Sequence, residues 1–215
     1  LTFLFGGAIA GSTSDYLHFL LPGILIMTVI PMTAYSGSII SMDLTKGIFN
    51  RFRTLPFWQP AAILGTLLSD TIRYTLALLV SLGTGLLLGF RPEAGVIGTI
   101  LALLFIVFFA FSVSWIFTMI GIIVKRPETV SGMSMIFVYP LIFASNLFVD
   151  SDTMPNWVQS IVELNPLSVA GSTVRGLMYG TASVIDIFKG LGICILLIVV
   201  FASLTMRLYQ VKNNH

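Results

Sequence analysis

The chain has 215 residues, 56% of them hydrophobic and 9% charged, against roughly 25% charged in an ordinary soluble domain. Eleven Lys and Arg against 9 Asp and Glu leave a formal net charge of +2, and a mean hydropathy of +0.99 is more than one soluble core of this size can hide. These figures exclude a water-soluble globule and, with the cations scattered among apolar runs, a nucleic-acid-binding face. The single cysteine, Cys194, excludes an internal disulfide and a paired-cysteine metal site.

Charge-free runs set the expected spans, because an unpaired charge at mid-bilayer costs on the order of a few kcal/mol. Residues 1–10, LTFLFGGAIA, are apolar but too few to cross a core that takes about 20 helical residues. They read as the outer end of a first span whose inner part and cytoplasmic amino terminus lie outside this sequence. The second span is expected at 17–42, an inner connection at 43–60, and an interfacial helix leading into a third span at 61–89. The fourth and fifth follow at 95–124 and 129–149, an outer segment at 150–186 and the sixth span at 187–207. Runs this long without alternating polarity argue for helices over barrel strands, so the fold class is all-α integral membrane.

Assigning alternate connections to alternate sides puts Lys46, Arg51, Arg53, Arg73, Lys125, Arg126, Arg207 and Lys212 together, eight cations against Arg91, Arg175 and Lys189. By the positive-inside rule the first group, and with it the carboxyl terminus, is cytoplasmic. The inner connection opens with Lys46, Arg51 and Arg53 interleaved with Ile48, Phe49 and Phe52, a short basic amphipathic helix stopped near Pro56. Two readings stay open for it: contact with anionic lipid, or docking to a soluble partner through the aromatic and arginine anchors that interfaces enrich. Asp70 and Arg73 fall one helical turn apart at the inner interface and are expected to pair at headgroup level.

The outer connection is less polar than a solvated loop. Its stretches 154–162 and 167–178 are each introduced by a proline breaker, Met154-Pro155-Asn156 and Asn165-Pro166, and neither is long enough to span. Both suit a short re-entrant hairpin covered by protein, with Trp157 as an interfacial anchor.

Catalytic chemistry finds little to work with. His18 and His215 are the only histidines, and no GxxxxGK[ST] loop is present, so ATP-driven work needs another subunit. The pairs Gly7/Gly11, Gly85/Gly89 and Gly176/Gly180 share the four-residue spacing that lets membrane helices approach closely. An ion-coupled transporter normally keeps an ionisable group in mid-membrane, and no expected span interior carries one. A membrane-embedded transferase needs clustered acids, whereas Asp43 and Asp70 stand apart.

Several stretches together resemble the ABC-2 type permeases, nearest their daunorubicin/doxorubicin-resistance branch. They are Tyr16-Leu17-His18-Phe19-Leu20-Leu21-Pro22-Gly23-Ile24, the run from Asp43 to Pro56, Arg91-Pro92-Glu93, Met154-Pro155-Asn156-Trp157, and Asn165-Pro166-Leu167-Ser168 with Arg175-Gly176. The resemblance covers essentially the whole chain. It implies a six-helix permease half that pairs with a second half, a homodimer, and is driven by two copies of a separate ABC ATPase subunit, which binds ATP and Mg; this chain holds no cofactor, metal or nucleic acid.

The resemblance further implies a coupling helix on Asp43, Lys46, Gly47, Phe49, Arg51, Phe52, Arg53 and Pro56. It also implies a substrate path between the second and fifth helices, which here carry Thr28, Thr33, Tyr35 and Ser38, and Ser131, Ser134, Tyr139 and Asn146. Helix–helix hydrogen bonding is the competing role for each of these eight. The function so implied is export of a drug-like or amphipathic substrate across the bacterial cytoplasmic membrane by alternating access. A lipid or lipid-linked polysaccharide cargo, an ion-coupled secondary transporter and a structural membrane subunit are the alternatives.

Overall fold

The computed structural model describes residues 13–46, 61–124, 126–147 and 155–213, and every regular element among them is helical. In chain order these are α1 (Thr13–Thr45), α2 (Ala61–Leu87), α3 (Gly95–Ile123), α4 (Pro127–Phe143), α5 (Asn156–Leu164), α6 (Pro166–Tyr179), α7 (Val184–Leu197) and α8 (Ser203–Asn213). A π-helical turn, Ile198–Ala202, joins α7 to α8 without a break. Four stretches are long and apolar enough to cross a membrane: His18–Thr45, Ile63–Leu87, Gly95–Ile123 and Val184–Tyr209. The protein is all-α, as the unalternating apolar runs require.

Helix ends depart from the sequence expectation by a few residues. Helix α1 continues through Asp43 to Thr45. Helix α2 carries Asp70 and Arg73 inside its length, paired as their three-residue spacing leads one to expect. Helix α4 has 17 residues and stops at Phe143, short of residue 149; at 1.5 Å per residue it is about 26 Å long, just under a typical hydrocarbon core of about 30 Å. Residues 1–10, expected as part of a first span, lie outside the described residues.

Helix α3 is the hub, in contact with α1, α2, α4, α6, α7 and α8. The larger apolar core gathers Leu25, Ile26 and Val29 of α1, Tyr74 and Leu78 of α2, Phe105 and Phe109 of α3, Val138 and Ile142 of α4, and Leu167 and Val174 of α6. A second core, at the end bearing Lys46 and Arg126, joins Ile40, Ile63, Leu67, Trp115, Ile122 and Tyr209. Large apolar side chains such as Leu76, Val80, Ile97, Phe137 and Leu196 face outward, the surface that lipid covers in a membrane protein.

Helices α1 and α3 touch backbone to backbone. A Cβ on Gly37 would stand 2.2 Å from the Phe117 carbonyl oxygen. A second close approach lies at Gly23, where a Cβ would meet the Leu147 carbonyl oxygen at 2.4 Å. Of the expected glycine pairs, Gly85 packs on the Leu21 side chain, whereas Gly89 and Gly180 have positive φ and end helices. Gly176/Gly180 is therefore a helix terminus, with the Gly176 carbonyl accepting from Thr181 and Ala182.

Candidate functional site

Polar groups buried among apolar helices are costly unless hydrogen-bonded, so their partners show what each one does. Asp70, 3% exposed, is tied on both carboxylate oxygens. Ser36 of α1 donates its hydroxyl to Oδ2 at 2.6 Å, and Arg73, one turn along α2, donates from Nη1 to Oδ1 at 2.9 Å. The Tyr74 hydroxyl lies 3.0 Å from Ser36 Oγ, completing a Tyr74–Ser36–Asp70 chain across the α1–α2 interface. The i,i+3 spacing announces the Asp70–Arg73 pair; Ser36, 34 positions away in sequence, carries no local signal.

The eight hydroxyl- and amide-bearing residues expected along a substrate path are not brought to one cavity. Thr28 and Thr33 donate to carbonyls of their own helix, Ile24 and Ile30. Ser38 and Ser131 bond each other at 2.8 Å, joining α1 to α4. Ser134 is buried without a hydrogen-bond partner, as is Oδ1 of Asn146, while Tyr35 and Tyr139 point outward. A cavity of about 240 Å³ among α1, α3, α4, α6 and α7 is lined instead by apolar side chains, Ile30, Phe109, Phe117, Phe137 and Leu167 among them.

Of the expected coupling residues, Asp43 and Lys46 are at the carboxyl end of α1, with Lys46 exposed. Gly47, Phe49, Arg51, Phe52, Arg53 and Pro56 lie outside the described residues.

At the opposite end, two side chains serve carbonyls at and just beyond the end of α4, and a third serves a carbonyl of α1. Asn165, in the linker between α5 and α6, donates from Nδ2 to Leu141 O at 2.7 Å and Ala144 O at 2.8 Å, while its Oδ1 accepts from Leu167 N. Arg175 of α6 donates from Nη2 to Asn146 O at 2.7 Å and Leu147 O at 3.1 Å, and from Nε to Phe19 O at 3.4 Å; its guanidinium lies 4.0 Å from the Phe19 ring centroid. Tyr179 donates to His18 O at 2.5 Å, and the His18 ring leans on Phe90. Burial, then the charge of Glu93, pushes the Tyr179 phenol up to about 12 against the pull of Arg175. Asn165 and Arg175 thus hold α4, α6 and the start of α1 together, roles that motif spacing does not announce.

This bundle of long apolar helices has curated relatives. The profile of the ABC-2 type transporter family matches residues 1–179. The chain belongs to the ABC-2 type transporter family. Among relatives of this ABC-2 protein is the daunorubicin resistance ABC transporter permease protein DrrB1 of Streptomyces coeruleorubidus, 52% identical over 216 residues, covering 100% of this chain and 76% of that protein. The probable doxorubicin resistance ABC transporter permease protein DrrC of Mycobacterium tuberculosis, strains CDC 1551 / Oshkosh and ATCC 25618 / H37Rv, is 25% identical over 164 residues, 72% of this chain and 59% of that protein. The family match takes in α1 to α6, and hence the Asp70 network and the Asn165, Arg175 and Tyr179 contacts of this ABC-2 permease.

Proposed function

We propose that the chain is the permease subunit of an ABC exporter that moves an amphipathic, drug-like substrate outward across the bacterial cytoplasmic membrane. The observation that carries this reading is the 52% identity, over the full chain, to a protein named for daunorubicin resistance. In this reading the chain forms one six-helix half of a homodimer, with its carboxyl terminus cytoplasmic and with α5 and α6 as a re-entrant pair on the outer side. Residues 43–56 form the coupling helix that seats in each of two ATPase copies. ATP and Mg belong to those partners, and this chain performs no hydrolysis itself. Alternating access follows if the ATPases bind one permease state more tightly than the other, since only differential affinity shifts such an equilibrium.

Affinity purification of the full-length permease in mild detergent, with mass spectrometry of what accompanies it, tests the reading. A stoichiometric P-loop ATPase that disappears in the Arg51→Glu/Arg53→Glu variant is the expected result. Failure to recover any ATPase, under conditions that keep a control membrane complex intact, removes the primary-transport reading. Recovery that is indifferent to the double substitution removes the coupling site alone.

A further inference from the structure

A cavity of about 340 Å³ opens between α1 and α2, lined by Pro31, Met32, Tyr35, Asp70, Arg73 and Tyr74. We propose that this cavity binds a lipophilic cation, a hydrophobic body carrying one positive centre, with Asp70 as counter-ion and specificity-determining residue. The inference deepens the export reading, on which the fate of the bound ligand rests.

The argument starts from what a carboxylate costs here. Tying α1 to α2 needs only a hydrogen bond from Ser36, and a neutral amide at position 70 accepts that bond without a buried charge to balance. An ionisable group within an apolar span marks a ligand or ion site more often than a strut. Asp70 lies within the stretch Ile63–Leu87 and is 3% exposed.

The charge is balanced from the open side alone. Arg73 reaches Asp70 through one nitrogen, and its side chain is 55% exposed, so the pair lacks the bidentate geometry of strong guanidinium–carboxylate contacts. A ligand cation can take the place of Arg73 without unbalancing the site, because one positive charge leaves as another arrives. Behind the carboxylate, Ser36 holds Oδ2 and Tyr74 adjoins Ser36, fixing the oxygens whichever cation sits in front. Ser36 and Tyr74 are thus positioning residues.

The walls suit the rest of such a ligand. Pro31 and Met32 offer an apolar floor, and the Tyr35 ring, 64% exposed, stands free at the rim. Methionine adapts to irregular hydrophobic shapes, and an aromatic face attracts a cation. The volume lies in the range of about 300–1,000 Å³ typical of small-molecule sites, with few polar groups in an apolar lining.

Binding of tetraphenylphosphonium to the full-length permease, purified alone in dodecyl maltoside and followed by equilibrium dialysis at pH 8, tests the site without the ATPase. Saturable binding is expected, weakened at least tenfold by Asp70→Asn, while uncharged triphenylphosphine oxide binds both proteins alike. Arg73→Gln removes the competing cation and keeps the Ser36–Asp70 tie, so it is expected to tighten tetraphenylphosphonium binding severalfold; it decides the matter if Asp70→Asn does not fold. Equal binding by wild type and Asp70→Asn, equal loss of both probes, or unchanged or weaker binding by Arg73→Gln overturns the proposal. Asp70-dependent binding without ATP-driven efflux, when permease and ATPase are reconstituted together, leaves the site standing and removes the export reading instead.

Discussion

Gly121 of α3 faces the Gly37 carbonyl of α1 so closely that a Cβ at position 121 would stand 2.1 Å from that oxygen. Alanine in a helix ordinarily gains up to about 1 kcal/mol over glycine. Here the obstacle is backbone, which cannot rotate away, and the helices would have to part along their longest shared interface. Overpacking of this kind costs about 1–3 kcal/mol or more, so Gly121→Ala is expected to lower the melting temperature in detergent, read by fluorescence-detected size-exclusion chromatography. Gly132→Ala is the matched control, since beyond its own helix backbone and chain neighbours nothing lies within 4 Å of its Cβ; it is expected to leave stability unchanged or to raise it.

Arg175 serves backbone carbonyls of Phe19, Asn146 and Leu147 from one planar group. Hydrogen bonds involving a charged group contribute about 1.5–3 kcal/mol each, with the longest of these at the weak end. Arg175→Ala is expected to cost about 3 kcal/mol in thermal stability. Lysine keeps the charge but loses the fork, so Arg175→Lys should recover less than half of that loss. Full recovery by lysine would reduce the role of Arg175 to its charge.

Asn165 uses both ends of its amide, Nδ2 on two carbonyls and Oδ1 on Leu167 N. Asp is nearly the same size and still caps α6, but it places a carboxylate against two carbonyl oxygens. Asn165→Asp is expected to destabilise more than Asn165→Ala, by about 1–2 kcal/mol at pH 8. The gap between the two variants should narrow as pH falls and the new carboxyl takes up a proton, which a pH series of melting curves would reveal.

Tyr179 supplies a pH signature at the alkaline end. Its phenol is raised from 10.0 to about 12, mainly by burial, so the folded state favours the protonated form that donates to His18. That stabilisation is complete below pH 10 and drains away as pH climbs towards 12. Tyr179→Phe, which lacks the donor, should be less stable by about 1 kcal/mol at neutral pH and should show a smaller fall in stability between pH 10 and 12 than the wild type. Parallel alkaline profiles for the two proteins would contradict this account.

The helical plan was legible because long apolar runs admit few structures in lipid, and the Asp70–Arg73 contact because a three-residue spacing is local. Contacts made across the sequence were not legible. Ser38 and Ser131, expected along a substrate path, bond each other, and Ser36, which no motif singles out, serves Asp70. The helix expected over 61–89 is present as α2, with Asp70 and Arg73 paired inside it. Glycine spacing misled: Gly176/Gly180 fits the close-packing pattern but ends a helix, and Gly37 and Gly121, where backbones meet, belong to no such pair. Close packing depends on which partner lies opposite, which a one-dimensional pattern does not record.

The wide turn at Ile198–Ala202 has a consequence for how this chain can change over generations. Gly190 and Tyr209 are both buried, yet they stand 19 positions apart, which at about 100° per residue leaves them about 100° out of phase in an uninterrupted α-helix. A π turn absorbs one extra residue and returns them to the same side. Loss of a single codon within that stretch would turn it into regular α-helix and preserve both buried faces, making it a joint where length can drift by one without disturbing its neighbours.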